Sequence, residues 1–408
     1  MSQPPLPPTG ESPQNHSPLG RTSEGSPAGP VPQAGGPASP NLVNGATVHG
    51  LTGQRGARHP WEIPLLALGI LITVLAYGLW LALVIGSIVN AIRGVGPTLL
   101  DISPDSPLAG IVAQLFVLIL LLPIVFWIFR ALMYAEMRAQ SVRMSPTQFP
   151  EGYRMVAEAA AQHGLRRVPD AYVQLGNGTI NAFASGHGFR RFVVVYSDLF
   201  EVGGAVRDPE ALRFVIGHEV GHLAAGHVSY FRLVFTNLLS RIPILGPAFS
   251  RAQEYTADNF GYAFCPQGAP GTIGVLGAGK YLNADVNVHE VADRAATEKG
   301  LWVHLVNWNA SHPTLTWRAH ALRDRSRAGH LWFRPGLFSS PGAAYATALP
   351  AGSIFSSRYP TPQEALSLLA QADAARPAGH SDQFGRFPGV DYSGRPSLRE
   401  RQISPPLL

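Results

Sequence analysis

From Ile63 to Ile92 the chain carries no charged residue, and the run LLALGILITVLAYGLWLALVIGSIV is unbroken by one. Such a run is long enough to cross a bilayer, which takes about 20 apolar residues. A second uncharged run extends from Ser106 to Phe129, with Pro123 as a kink. The pattern predicts two membrane helices, over about 63–92 and 107–131. Trp61 and Trp80 suit interfacial or lipid contacts. The connecting loop holds Asp101 and Asp105, with Arg93 at its start. Arg55 and Arg58 precede the first run, and Arg130, Arg138 and Arg143 follow the second. By the positive-inside rule both ends face the cytoplasm, so residues 59–144 are expected as a transmembrane hairpin in a multi-pass protein of the cell membrane.

Outside these runs the pattern changes twice. Residues 1–58 are rich in Pro, Gly, Ser, Asn and Gln, too poor in apolar side chains to offset the entropy of ordering, and are expected to be disordered. They lack the basic start and apolar core of a signal peptide. Residues 332–408 return to Pro, Gly and Ser, with a short helix from Pro362 to Ala374. Between the tails, residues 145–331 alternate like a globular domain. Pro150 and Glu151 open a helix with Tyr153, Val156, Ala157 and Ala160 on one side, ended by Gly164. Strands are expected at Ala171–Leu175, Thr179–Ala184 and Phe192–Tyr196. Asp208 as N-cap and Pro209 at the first helical position begin a helix backed by Leu212, Val215, Ile216 and Val220. Tyr230–Leu239 is too short to span and reads either as a surface amphipathic helix or as a core helix. Gly246 and Pro247 start a further helix to about Phe264.

Composition narrows the classes. Cys265 is the only cysteine, which removes a disulfide framework. The net charge of +5 rests on arginine, since Lys280 and Lys299 are the only lysines. No dense basic run or basic–aromatic interleaving occurs, so nucleic acid is not an expected partner.

The helix after Asp208 carries FVIGHEVGHLAAGH, with His218, Glu219 and His222 in the pattern H-E-x-x-H. Residues four apart on a helix share a face, so the two imidazoles can bind one cation while Glu219 reaches a water beside it. A catalytic zinc takes three protein ligands and keeps one position open, and a neighbouring carboxylate can take the proton of its water. A third ligand is needed. The metzincin scheme fails, because Ala225 and Val228 stand where Gly and His are required. Glu254 on a later helix is the best candidate, and Asp258, one turn on, is placed to accept the second N–H of a ligand histidine. His227, five residues past His222, reads as a helix cap or a solvent-facing group, and His187, His289, His304 and His320 as surface or core groups.

Four stretches together resemble the HtpX and CAAX-prenyl-endopeptidase type of integral-membrane zinc metallopeptidase, the gluzincins. They are INAFASG at Ile180–Gly186, HEVGH at His218–His222, EYTAD at Glu254–Asp258 and SHPTLTWRAHAL at Ser311–Leu322, in the family's order. The resemblance implies an α+β, zincin-like protease domain with a small sheet behind a membrane hairpin, and one Zn²⁺ per chain. It implies His218, His222 and Glu254 as ligands, Glu219 as base and Asp258 as the carboxylate behind a ligand. By the same likeness Asn181 lies beside the cleft, His312 faces the scissile carbonyl, and Arg318 is a basic residue near the site. The short stretch between His222 and Glu254 holds no clean spanning run, unlike relatives with two further membrane helices there. The expected activity is endopeptidic, on polypeptides that include misfolded membrane proteins. A specialised prenyl-protein peptidase and a non-catalytic membrane scaffold stand as alternatives.

Overall fold

The computed structural model describes residues 57–95, 107–188, 190–201, 208–325, 327–335 and 361–374. The expectations for residues 1–56, for the loop at 96–106 and for most of the C-terminal tail lie outside them. Two long helices lead, α1 (Glu62–Arg93) and α2 (Pro107–Gln140). Then come β1 (Val142–Arg143), α3 (Pro150–Gln162), β2 (Asp170–Gln174), β3 (Ala182–His187) and β4 (Arg190–Tyr196). A single turn, α4 (Ser197–Phe200), precedes α5 (Pro209–Ala224), α6 (Tyr230–Ser240), α7 (Leu245–Phe264) and α8 (Gly268–Leu282). The short α9 (Val288–Thr297), α10 (Leu301–Asn309) and α11 (Leu315–Arg323) follow, and α12 (Pro362–Ala374) lies in the tail.

The sheet has the order β1-β2-β4-β3, with β2 and β4 parallel and the outer pairs antiparallel. Both faces of its centre are covered, which is why Phe192–Val195 reads as a continuous apolar run instead of an alternating one. Val193 and Val195 face the main core, with Val156, Leu212 and Ile216. Phe192 and Val194 face the other way, onto Met133, Tyr134 and Met137 of α2. That contact carries α2 past the expected end near 131 to Gln140. The strand expected at Thr179–Ala184 is shifted: Thr179 closes a turn onto the Gly176 carbonyl at 2.9 Å, and pairing begins at Ala182. The two-residue β1 had no sequence signal.

Among the described residues, α1 is the one helix long and apolar enough to cross a membrane. It has two parts. Leu65 and Leu66 are buried against Leu239, Ala248, Phe249 and Tyr255, in a second core formed by α6 and α7. From Val74 onward Leu75, Leu79, Leu81, Ile85 and Ile88 stand exposed. Helix α6 runs beside α1, where Thr73 donates to the Phe235 carbonyl at 2.6 Å. Thus α6 packs on a core with Leu239 and Thr236 while Phe231, Leu233 and Phe235 remain exposed. Arg58 and His59, at the start of the described chain, are already tied in: Arg58 Nη1 donates to Glu62 Oε1 and the His59 N–H to Thr256 Oγ1.

Candidate metal centre and cleft

The centre is built where α5 crosses α7. Asp208 caps α5 by accepting the Ala211 N–H at 3.0 Å, and Pro209 sits in its first turn. Leu212, Phe214, Ile216 and Val220 are fully buried and fix its rotation. Gly217 and Gly221 line the face towards α7. A Cβ at Gly221 would stand 2.5 Å from the Phe260 Cβ, and one at Gly217 2.8 Å from the Phe264 ring. Only glycine permits an approach this close, and the approach brings Glu254 and Asp258 within reach of the α5 histidines.

His218 Nε2 and His222 Nε2 lie 3.2 Å apart. The Glu254 carboxylate places one oxygen 3.4 Å from each. A tetrahedral ion with ligands at about 2.0–2.1 Å holds its donors roughly 3.3–3.4 Å apart. The imidazole pair has the spacing of two corners of such a tetrahedron, Glu254 turns Oε2 to His218 and Oε1 to His222, and two imidazoles with one carboxylate are a donor set that zinc favours. All three groups are at least partly withdrawn from solvent. Burial works against the charge on Glu254, but the two imidazoles outweigh it and hold its carboxyl well below the usual range.

Each ligand imidazole is also held from behind. His218 Nδ1 is 2.9 Å from Asp258 Oδ1. Asp258 in turn accepts Arg318 Nε at 2.9 Å and Arg318 Nη2 at 2.5 Å. Burial opposes ionisation of Asp258, and Arg318 and His218 overcome it, so the carboxylate stays charged. With Nδ1–H donated to Asp258, Nε2 is the nitrogen of His218 left to face His222 and Glu254.

His227 is the correction on this side. It is buried, not solvent-facing, and its Nδ1 lies 2.7 Å from His222 Nδ1. The cause is local. Gly226, at φ +77°, ends α5; its N–H bonds to Leu223 O at 3.1 Å, and the His227 N–H reaches back to His222 O at 3.0 Å. This is a Schellman ending, in which the residue after the glycine packs on the residue five before it. Burial, against the opposing pull of Glu62, drives the His227 imidazole down to about 3, so it is neutral.

The eight residues singled out from sequence converge. Asn181, His218, Glu219, His222, Glu254, His312 and Arg318 line one cleft of about 340 Å³, and Asp258 stands directly behind His218. Ile180, Val215, Val275 and Leu276 give the cleft an apolar wall. Asn181 immediately precedes β3, the outer strand of the sheet. His312 is exposed, with Nε2 3.6 Å from Glu254 Oε1. Arg318 is turned onto Asp258. Sequence reasoning missed His227 and Glu62. The glycine after the helix was a usable signal for the first, since it forecasts a chain that turns back on α5.

The model of peptidase family M48 matches residues 146–243 and 229–326, which hold every one of these cleft residues. No curated protein and no solved structure matches the chain. The family match supports the M48 metallopeptidases and does not separate the HtpX type from the CAAX type.

Proposed function

We propose that the protein is a membrane-anchored zinc endopeptidase of the M48 type, acting on extended polypeptides that include misfolded membrane proteins. The observation that carries this reading is the convergence of His218, His222 and Glu254, their ligand atoms within 4.8 Å of one another, beside Glu219 in an open cleft. Bound zinc would acidify a water and polarise a peptide carbonyl. Glu219 shares the cleft without joining the ligand set, so it is free to take the water proton and deliver it to the leaving amine. His312, exposed at the rim, donates to the oxygen that gains charge in the transition state. Arg318 acts through Asp258, holding that carboxylate against His218. Asn181, beside the outer strand, holds the backbone of a substrate laid along β3, a mode that tolerates varied sequences.

The exposed part of α1, residues 74–93, spans about 30 Å at 1.5 Å per residue, the thickness of a bilayer core. In this reading α1 and α2 form the hairpin and the catalytic domain is cytoplasmic. Arg138 and Arg143 stand exposed as the inner flank, whereas Arg58 and Arg130 are turned into the protein. A label that cannot cross the membrane should fail to reach a cysteine placed at Arg143 in intact cells; labelling there would overturn the topology.

The enzymatic reading is tested on the purified full chain in detergent. Metal analysis should give one zinc per chain, and the protein should cleave an unfolded polypeptide. Stripping with a chelator should stop cleavage and added zinc should restore it. A protein that holds no metal and cleaves nothing would remove this reading and favour the scaffold.

A further inference from the structure

The hydrogen bonds behind His222 do not stop at His227. His227 Nε2 lies 3.2 Å from Glu62 Oε1, although the two residues are separated by 165 positions. Glu62 is fully buried in the first turn of α1. Its carboxylate is fixed from three further directions. Arg58 Nη1 and Arg232 Nη2 each donate to Oε1 at 2.6 Å, and Thr256 Oγ1 donates to Oε2 at 2.6 Å. Thr256 lies on α7 between Glu254 and Asp258, so one helix supplies a metal ligand and anchors of both supports. Glu62 lies outside the segments that match the family.

The protons along this chain have one consistent arrangement. Glu62 is ionised and only accepts. Facing that carboxylate, His227 carries a hydrogen on Nε2 and donates it to Glu62, and its Nδ1, 2.7 Å from His222 Nδ1, is placed to accept. That nitrogen accepts Nδ1–H of His222, and the lone pair of His222 is left on Nε2, pointing at His218 Nε2 and Glu254. The other tautomer of His227 would set two acceptors against each other at Glu62 and two donors against each other at His222.

We propose that His227 and Glu62 are positioning residues for the metal centre: a two-step relay that fixes His222 as an Nε2 ligand and ties that ligand to the first turn of α1. The relay does for His222 what Asp258 does for His218, with an imidazole interposed because the carboxylate comes from a distant helix. Metal affinity then depends on α1 being seated, and displacement of its first turn would loosen one of three ligands. This rests on the zinc reading above.

The test uses the full chain in detergent and reads zinc affinity by competition with a chromophoric chelator, with the absorption of the cobalt-loaded protein as a second readout. His222→Ala is the reference and should lose high-affinity zinc. His227→Phe fills the space but can neither accept nor donate, and should weaken zinc about 10- to 100-fold, the range for partners that orient a ligand. His227→Asn keeps an acceptor at the Nδ1 position and should recover most of that loss. Glu62→Gln, which keeps the shape and removes the charge, should weaken zinc and shift the cobalt spectrum in the direction of His227→Phe. If His227→Phe does not fold, Glu62→Gln decides. Wild-type affinity and spectrum in the folded variants would overturn the relay. A wild type without zinc, or a His222→Ala that keeps it, would instead overturn the ligand assignment.

Discussion

The two histidines of the centre are supported from opposite sides of the molecule, and by different means. Behind His218 stands Asp258, one helix away, gripped by Arg318 of α11. All three lie in the family-matched segments. Behind His222 stand a second imidazole and then Glu62, in the first turn of the one described helix long and apolar enough to cross a membrane. The first support lies wholly within the family-matched segments; the second reaches out of them. A ligand needs only that its far nitrogen be satisfied and its tautomer fixed. Any buried acceptor can do this, so one half of the centre can be shared with α1 while the other remains self-contained.

Removing the residue that serves both halves should have the largest effect. Glu254 faces both imidazoles at 3.4 Å, so Glu254→Ala should abolish stoichiometric zinc, read by metal analysis. Full occupancy in that variant would mean that the third ligand lies elsewhere. Next in size is a group outside both supports. His312→Ala should lower kcat about 10²- to 10³-fold with KM little changed and zinc intact, as for loss of an oxyanion donor. If the variant lost zinc, His312 would be a ligand; if it were fully active, its position at the rim would be incidental.

Asp258→Asn breaks the self-contained half alone. It should weaken zinc about 10- to 100-fold and leave the docking of α1 unchanged, measured by chelator competition and by protease protection of residues near Arg58. The same half also has a pH response, smallest per step. Burial opposes charge on His218, but Asp258 and Glu254 overcome it, raising the metal-free imidazole to about 9 from its ordinary 6.5. The value is raised on folding, so its proton stabilises the metal-free fold fully below pH 6.5, and that contribution fades as pH rises through 9. Zinc must displace the proton. Its affinity should therefore climb by up to about tenfold per pH unit until pH reaches 9, and flatten in Asp258→Asn. A pH-independent affinity between 6.5 and 8.5 would remove Asp258 as the group that charges His218.

The two halves also differ in how far they could be read without a structure. His218, Glu219 and His222 follow from a helical repeat and a capping aspartate, both local, and Glu254 and Asp258 from the same four-residue spacing on a second helix. These survive folding because α5 and α7 are stiff and cross at glycines. The support of His222 was not legible for the opposite reason. Glu62 stands just ahead of the uncharged run without a signal of its own, and Arg58 reads as a flanking charge, yet both are held inside the fold by contacts to residues 165 or more positions away. His227 does close the helix end, one of its two readings, but its burial was not legible, because the turn back at Gly226 lies beyond the helical repeat. The shifted start of β3 and the extension of α2 are of the same kind, set by partners distant in sequence.

In the proposed reaction Glu219 takes a proton from water beside a metal it does not bind. Glu219→Gln keeps the shape and cannot accept that proton. In purified full-length protein it should retain one zinc per chain, with affinity equal to wild type. Cleavage of an unfolded polypeptide should fall by at least the 10²- to 10⁴-fold typical of a lost general base, close to background. Equal cleavage by wild type and Glu219→Gln at equal zinc content would contradict the account.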